Sequence, residues 1–411
     1  MKLAFLSDLH LGFAYGSERQ EDSFEGAKQA FALCLREKPD LILLGGDIFH
    51  DKIPRQEVLG KAIELFTEVN KKLKKVLVIK KIDKDKKVVE KKELIPAIVG
   101  IWGTHERRHE NSTNPAQLLE KAGLVHLLHC ESILVELGYE KLGIHGLSGV
   151  PEDYAKAALE NWSPKPFENS HNVLLLHQNI KELIPAETSA ISFTDLPEKF
   201  DLYLLGHFHW RREDEQPKTR APILIPGSTV VTQMSQNEAS SEKGFFIIEL
   251  PPEKALRTIT FKPLITRPAH YLLVELREKR PAEIQFTIQQ AIAKALSLVN
   301  TTGLKPIIKV KVKGTLARGF SPTDLELSQI YKDFVDKAIL DIDKSDLQAD
   351  DAETKPSLLQ DLKEKKITAD QLGLELIRKN LPLPIETEKL EQLFNYLANG
   401  ETEKAEELLR T

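Results

Sequence analysis

The chain holds only two cysteines, Cys34 and Cys130, among its 411 residues. That is too few for a disulfide framework and points to a reducing compartment. Clustered cysteines, the usual ligands of a structural zinc, are missing as well. No apolar run approaches the ~18 residues that a membrane span requires. Neither sign of charge dominates, with 57 Lys and Arg against 62 Asp and Glu and a net of −5. The whole-chain field therefore offers nothing to a polyanion, and any contact with nucleic acid has to come from local patches. Because MKLAFLSD opens directly on strand-like residues, no secretory leader is expected and the cytoplasm is the expected compartment. Lys and Glu are abundant while Met is as scarce as Cys, a composition that leans towards thermophily. With 41% hydrophobic residues, the length allows two to four domains with sizeable cores.

Histidine is not scarce, and its placement is informative. Six of the twelve histidines follow short aliphatic runs that read as buried strands. LAFLSDLH delivers Asp8 and His10, and LILLGGDIFH delivers Asp47 and His50. IVGIWGTHERR ends in Thr104, His105, Arg107 and Arg108. VLLLHQN delivers His177, and LYLLGHFHW delivers His207 and His209. A single His after a strand is most often an ordinary loop residue. Five strand ends that all carry Asp or His are hard to assign to chance. In open α/β sheets ligands sit just outside the carboxyl ends of the strands. Asp8 and His10 are spaced i, i+2, as are His207 and His209, so in an extended chain each pair points to one side. Imidazole with carboxylate suits Mn2+, Fe2+ or Zn2+. There are more ligands than one ion needs, which predicts two ions sharing a carboxylate and a hydrolytic centre.

The ordered set D-x-H, G-D, G-x-H, H and G-H-x-H resembles the calcineurin-like metallophosphoesterase superfamily. The flanks SDLHLG, GGDIFHDKIPR and GHFHWR…PGS resemble one branch of it: the nuclease subunit of the double-strand-break repair complex, Mre-eleven in archaea and eukaryotes and SbcD in bacteria. The likeness covers about the first 265 residues and, more loosely, the remainder of the chain; an archaeal source is expected. It implies an α/β fold, a β-sandwich flanked by helices, with a small α+β capping domain and a C-terminal helical hairpin. It also implies a Mn2+-dependent nuclease, exonucleolytic on double-stranded DNA ends and endonucleolytic on single strands. Carried over by position, Asp8, His10 and His209 would hold one Mn2+ and His177 and His207 the other, with Asp47 between them. His105 would protonate the leaving oxygen, and His50 would position the phosphate. The family usually has asparagine where Thr104 stands, so Thr104 would be a weaker neutral donor to the second ion. Arg107 and Arg108 are candidates for DNA backbone contacts, although exposed loop arginines are commonly just solvated.

Along the chain, residues 1–264 are expected to form the phosphoesterase domain. Within it QEDSFEGAKQAFALCLREKPD is a helix with Phe24, Ala27, Phe31, Cys34 and Leu35 on one face. PRQEVLGKAIELFTEVNKK is a second, with Leu59, Ile63 and Phe66 on a stripe, and NPAQLLEKAGL starts a third at Pro115. The resemblance implies a homodimer through the second and third helices; the alternative is that both stripes pack on the sheet. Residues 71–95 form a basic hairpin insertion, with eleven lysines against three acids between Lys71 and Lys92 and a turn near Asp83. It reads as a solvated edge or as a phosphate-contacting arm. Residues 265–345 read as a β-α-β-α unit; the resemblance implies a capping domain in contact with DNA, and the alternative is a purely stabilising accessory domain. Its first helix turns Ile284, Ile288, Ile292 and Leu296 to one side, and a capping box at Ser321 opens the last helix, TDLELSQIYKDFVDKAIL. Residues 346–383 form a linker, and 384–411 a helix-turn-helix hairpin too short to bury its apolar stripe alone. By resemblance that hairpin meets the coiled coil of a Rad-fifty ATPase, an SMC-like partner, at the nucleoid. The rival readings are a metallophosphoesterase acting on small phosphodiesters or phosphoproteins, and a weakly active metal-binding scaffold. No membrane association is expected.

Overall fold

The computed structural model describes residues 1–90, 92–108, 112–184, 190–252, 257–298 and 303–349, together with 389, 392, 393 and 408. Nearly all of the linker and the terminal hairpin expected from the sequence lie outside the described residues. The chain divides into two compact units, the first of Met1–Val274, Thr287–Lys311 and Leu327–Asp343, the second of Glu275–Phe286, Val312–Glu326 and Lys344–Thr411.

Two sheets build the first unit. One has six strands in the order Thr258–Pro263, Gly244–Glu249, Lys2–Leu6, Leu41–Leu44, Ile98–Gly100 and His126–Leu127, the last four of them parallel. The other has nine, and its centre runs parallel through Glu140–Leu147, His171–Leu176, Leu202–Leu205 and Pro222–Ile225. Alternation along the strands sets the layers. In the first strand Leu3 and Phe5 face the second sheet, where they meet Val173, Leu175, Leu202 and Leu204. Ala4 and Leu6 face the other way, onto the helices Asp22–Arg36, Gln56–Asn70 and Pro115–Lys121. On the far side of the second sheet, Leu174, Leu176 and Tyr203 pack with Leu159 and Trp162 of the helix Glu152–Trp162. The result is a β-sandwich covered by helices on both faces, as expected of the phosphoesterase fold.

Local readings hold with small shifts. Phe24, Ala27, Phe31 and Cys34 are buried on the first helix as expected. On the second, Phe66 is buried as expected, but Val58 and Ala62 take the places expected of Leu59 and Ile63, Val69 completes the stripe, and Ile63 is left 42% exposed. Val76–Ile82 and Val88–Val89 form the lysine-rich hairpin, with Asp83 accepting from Asp85 and Lys87 N–H groups in the turn.

From Ala269 the chain forms a three-stranded sheet in the order Ala269–Lys279, Ile307–Leu316, Ile339–Gln348, with the helix Pro281–Leu298 between the first two strands in sequence. Ile284, Ile288 and Ile292 are buried as read, with Ala295 rather than Leu296 completing the stripe. The long helix expected after Ser321 is not formed. The capping box closes only a 3-10 turn, Pro322–Asp324, and the α-helix is limited to Ser328–Phe334. The residues beyond it are a strand because Asp341 and Asp343 fall opposite the period-two lysines of KVKVK. Lys309 pairs with Asp341 at 3.1 Å and Lys311 with Asp343 at 2.8 Å, while Ile342 turns inward. Among the described residues no helix is long and apolar enough to cross a membrane.

Candidate metal centre

All the sequence-predicted Asp and His residues lie just past the ends of five parallel strands, Lys2–Leu6, Leu41–Leu44, Ile98–Gly100, His171–Leu176 and Leu202–Leu205. The loops after the first two strands run side by side, with Asp8 N–H donating to Gly46 O and His10 N–H to Asp47 O, each at 3.0 Å. Four cluster residues sit at positive φ: Asp8 (54°), His10 (44°), Asp47 (47°) and His207 (83°). Such backbone is costly for residues with a Cβ and persists where surrounding bonds impose it. Gly103 lets the third strand approach: a Cβ there would lie 2.0 Å from Asp47 Oδ1.

The side chains gather into groups of three whose ligand atoms all lie within 4.8 Å of one another: Asp8, His10, His209; Asp47, His177, His207; and His10, His50, His105. The Nε2 atoms of His10 and His209 are 3.0 Å apart. His177 Nε2 stands 3.2 Å from Asp47 Oδ2, and His209 Nε2 3.7 Å from Asp8 Oδ1. Two cis ligands, each ~2.1 Å from one ion, are about 3 Å apart, so these spacings suit a shared cation. Each carboxylate is anchored by one oxygen only. Asp8 Oδ2 accepts from Ser7 Oγ at 2.5 Å and His207 N–H at 3.1 Å, and Asp47 Oδ1 accepts from His105 N–H at 2.9 Å. The other oxygens, Asp8 Oδ1 and Asp47 Oδ2, are buried and make no hydrogen bond, and neither does His177 Nε2, which meets Asp47 Oδ2 only as a charge partner at 3.2 Å. Orphaned buried groups of this kind carry a desolvation penalty that a divalent ion would lift. The residues present fit such an ion.

The remaining ring nitrogens are held from behind. His177 Nδ1 donates to Gly45 O at 2.7 Å. His209 Nδ1 meets Thr232 Oγ1 at 2.6 Å, and His105 Nδ1 donates to His50 O at 2.7 Å. Such outer contacts orient ligands and fix tautomers. Behind His209 lies a buried ion pair, Lys243 Nζ to Glu238 Oε1 at 2.8 Å, and the same Nζ donates to His209 O at 2.7 Å.

Electrostatics match a site built for cations. Burial, reinforced by the nearby Asp47 charge, pushes the Asp8 carboxyl up to about 7. Burial would also raise Asp47, but the adjoining His177 outweighs it and holds that carboxyl well below the usual range. In return, His177 rises to about 9, because the attraction of Asp47 exceeds the desolvation that would lower it. Burial and the charge of His177 drop His207 to about 3, and burial drops His209 to about 4, so both are neutral donors at physiological pH.

His50 and His105 sit half-buried at the cluster's edge, their rings 5.0 Å apart. Thr104 is half-buried in the loop beside Asp47, its carbonyl accepting from Arg107 N–H at 3.4 Å. Arg107 and Arg108 are exposed, and Arg108 donates to Thr113 O, away from the cluster. Several participants are not among the residues the sequence singles out. Glu106 is fully buried and accepts from Gly103 N–H at 2.8 Å and Phe49 N–H at 2.9 Å, tying the second and third loops together. Burial, then Asp47, pushes it up to about 8. Its only signal in the sequence is a carboxylate directly after His105. Asn179 Oδ1 lies 2.9 Å from His207 Nε2, two residues after His177. Glu238 and Lys243 carry no local signal.

The calcineurin-like phosphoesterase family pattern matches residues 1–211. A double-strand break repair protein MRE11 from Encephalitozoon cuniculi is 28% identical over 314 residues, covering 71% of this chain and 53% of its own. DNA double-strand break repair proteins Mre11 are also similar: 28% identity over 269 residues in Methanopyrus kandleri (61% of this chain, 54% of that one) and 26% over 326 residues in Saccharolobus solfataricus (77% and 76%). The chain spans about half the length of the first two.

Proposed function

Because this chain belongs to the calcineurin-like phosphoesterase family, we propose that its cluster holds two Mn2+ ions and hydrolyses phosphodiester bonds of DNA at double-strand breaks. The observation that carries this reading is the pair of Asp/His groups in which buried Asp8 Oδ1, Asp47 Oδ2 and His177 Nε2 make no hydrogen bond and face only one another's group. Asp8, His10 and His209 would hold one ion, and His177 and His207 the other. Asp47 would lie between them, and Thr104 would offer the second ion a weak neutral oxygen. When bound there, two divalent cations would supply neutralisation of the phosphate charge and a more acidic water. The chain's own residues do the rest. His105 has its Nδ1–H committed to His50 O, so Nε2 is the nitrogen left for proton transfer to the leaving oxygen. His50, in contact with both His10 and His105, would seat the phosphate for exonucleolytic cleavage.

DNA as substrate is supported by what the similar proteins are called, and by Arg107, Arg108, Lys72, Lys74, Lys75, Lys84, Lys86 and Lys87 as exposed cations for backbone phosphates. The unit from 265 to 345 would add DNA contacts, 384–411 would bind a coiled-coil ATPase, and exposed Ile63 and Leu118 would contribute to a homodimer. Cleavage of labelled double- and single-stranded DNA with Mn2+, set beside a small chromogenic diester, tests the reading. Faster turnover of the small diester would overturn it in favour of a small-molecule phosphoesterase. Deleting 384–411 should spare DNA cleavage and abolish co-purification with the ATPase; undiminished co-purification would remove the hairpin from the interface.

A further inference from the structure

His177 and His207 serve the same group, yet they are held by opposite nitrogens. His177 commits Nδ1 to Gly45 O and turns Nε2 to the group, 3.2 Å from Asp47 Oδ2. In His207 it is Nε2 that is engaged, 2.9 Å from Asn179 Oδ1. Which atom of the Asn179 amide faces His207 is decided by its other neighbour. Asn179 Nδ2 lies 3.1 Å from Glu152 Oε2. A carboxylate only accepts, so it has to face the NH2 group, and the amide oxygen is left for His207. An oxygen at that distance requires the proton on Nε2. The lone pair of a neutral His207 is then on Nδ1.

The tethers are built into the fold. Glu152 is the first residue of the helix Glu152–Trp162, where a carboxylate is favoured by the helix dipole. Gln178, the neighbour of Asn179, donates to Ser148 O at 3.1 Å and ties the same two loops a second time. We infer that Glu152 and Asn179 form a positioning relay that fixes His207 in the Nε2–H tautomer and presents its Nδ1 to the second cation. This rests on the dinuclear reading above, and it would offset part of what the second ion loses through Thr104, a poor neutral donor.

The test reads the tautomer directly. The full-length, metal-free protein is labelled with 15N-histidine, and long-range 1H–15N correlations identify His207 by its loss in His207→Gln. The relay predicts Nε2–H for His207 in the wild type and a mixed tautomer in Asn179→Ala. In parallel, Mn2+ titration by calorimetry should show the second binding step weakened about 10–100-fold in Asn179→Ala, the usual worth of an outer contact. The first step should be unchanged, which also shows that the variant is folded. The double variant Asn179→Asp, Glu152→Gln reverses donor and acceptor between the two positions, keeps an oxygen towards His207, and should restore both readouts. An Nδ1–H tautomer in the wild type, or wild-type tautomer and second-step affinity in Asn179→Ala, overturns the relay. A wild-type protein that takes up no Mn2+ overturns the dinuclear reading instead, and the tautomer of His207 then decides the relay on its own.

Discussion

Gly103 carries no chemistry, yet replacing it should disable the centre. A Cβ at this position would stand 2.0 Å from Asp47 Oδ1 and 2.5 Å from both Asp47 Cγ and Asp47 N. Unstrained carbon contacts lie near 3.5–4.0 Å, so relief requires a movement of more than about 1 Å. The loop has nowhere to retreat, because Gly149 is packed against its other side so closely that a Cβ on Gly149 would lie 2.6 Å from Gly103 C. Asp47 has to give way, and with it the hydrogen bond from His105 N–H. A displacement of ~1 Å in reacting geometry costs on the order of 10²-fold in rate. Gly103→Ala should therefore lose about two orders of magnitude in Mn2+-dependent DNA cleavage and bind Mn2+ more weakly, with a native circular dichroism spectrum. Gly60→Ala is the matched control. That glycine is exposed in mid-helix with nothing within 4 Å of an added Cβ, so the change should stabilise by about 1 kcal/mol and leave cleavage alone. Wild-type rate and Mn2+ affinity in Gly103→Ala would refute the close-packed geometry around Asp47.

Other perturbations separate the roles within the site. His105→Gln should keep both ions, seen by calorimetry, while cleavage slows about 10²–10⁴-fold; loss of metal would make His105 a ligand instead. Thr104→Asn should lower the Mn2+ concentration for half-maximal cleavage, because a longer amide arm replaces a hydroxyl; an unchanged titration would mean that threonine already suffices. Away from the site, burial holds the His145 ring down to about 4, neutral between Ser132 Oγ at 2.8 Å and Asn172 Oδ1 at 3.1 Å. The unfolded chain takes up that proton near pH ~6.5 and the folded one does not, so up to about 3 kcal/mol of stability is lost as pH falls from ~6.5 to ~4. His145→Gln should flatten the loss in urea denaturation over that window, and an unaltered slope would place the acid sensitivity elsewhere.

The sandwich is legible in the sequence because its strands are short aliphatic runs, and the site because those runs end in Asp or His at i, i+2 spacing. A strand delivers its loop to the sheet edge whatever else the chain does, so such residues need no long-range knowledge to be noticed. Groups that act from behind leave no such mark. Glu238 and Lys243 reach His209 from about thirty residues away, and Asn179 gains meaning only once the Glu152 helix is placed beside it. The strand Ile339–Gln348 starts within the last two residues of the run that reads as a helix, 323–340, and is not legible in isolation because its identity depends on the lysines at 309 and 311. On the second helix Phe66 lies where expected, whereas Val58 and Ala62 rather than Leu59 and Ile63 are the buried residues before it.

The most direct test of the central claim is the Mn2+ stoichiometry of the wild type and of Asp47→Ala, read by calorimetry and by electron paramagnetic resonance. The wild type should bind two ions per chain, magnetically coupled through a shared ligand, and Asp47→Ala should lose both the coupling and the cleavage. One isolated ion in the wild type, or a coupled pair that survives in Asp47→Ala, would contradict it.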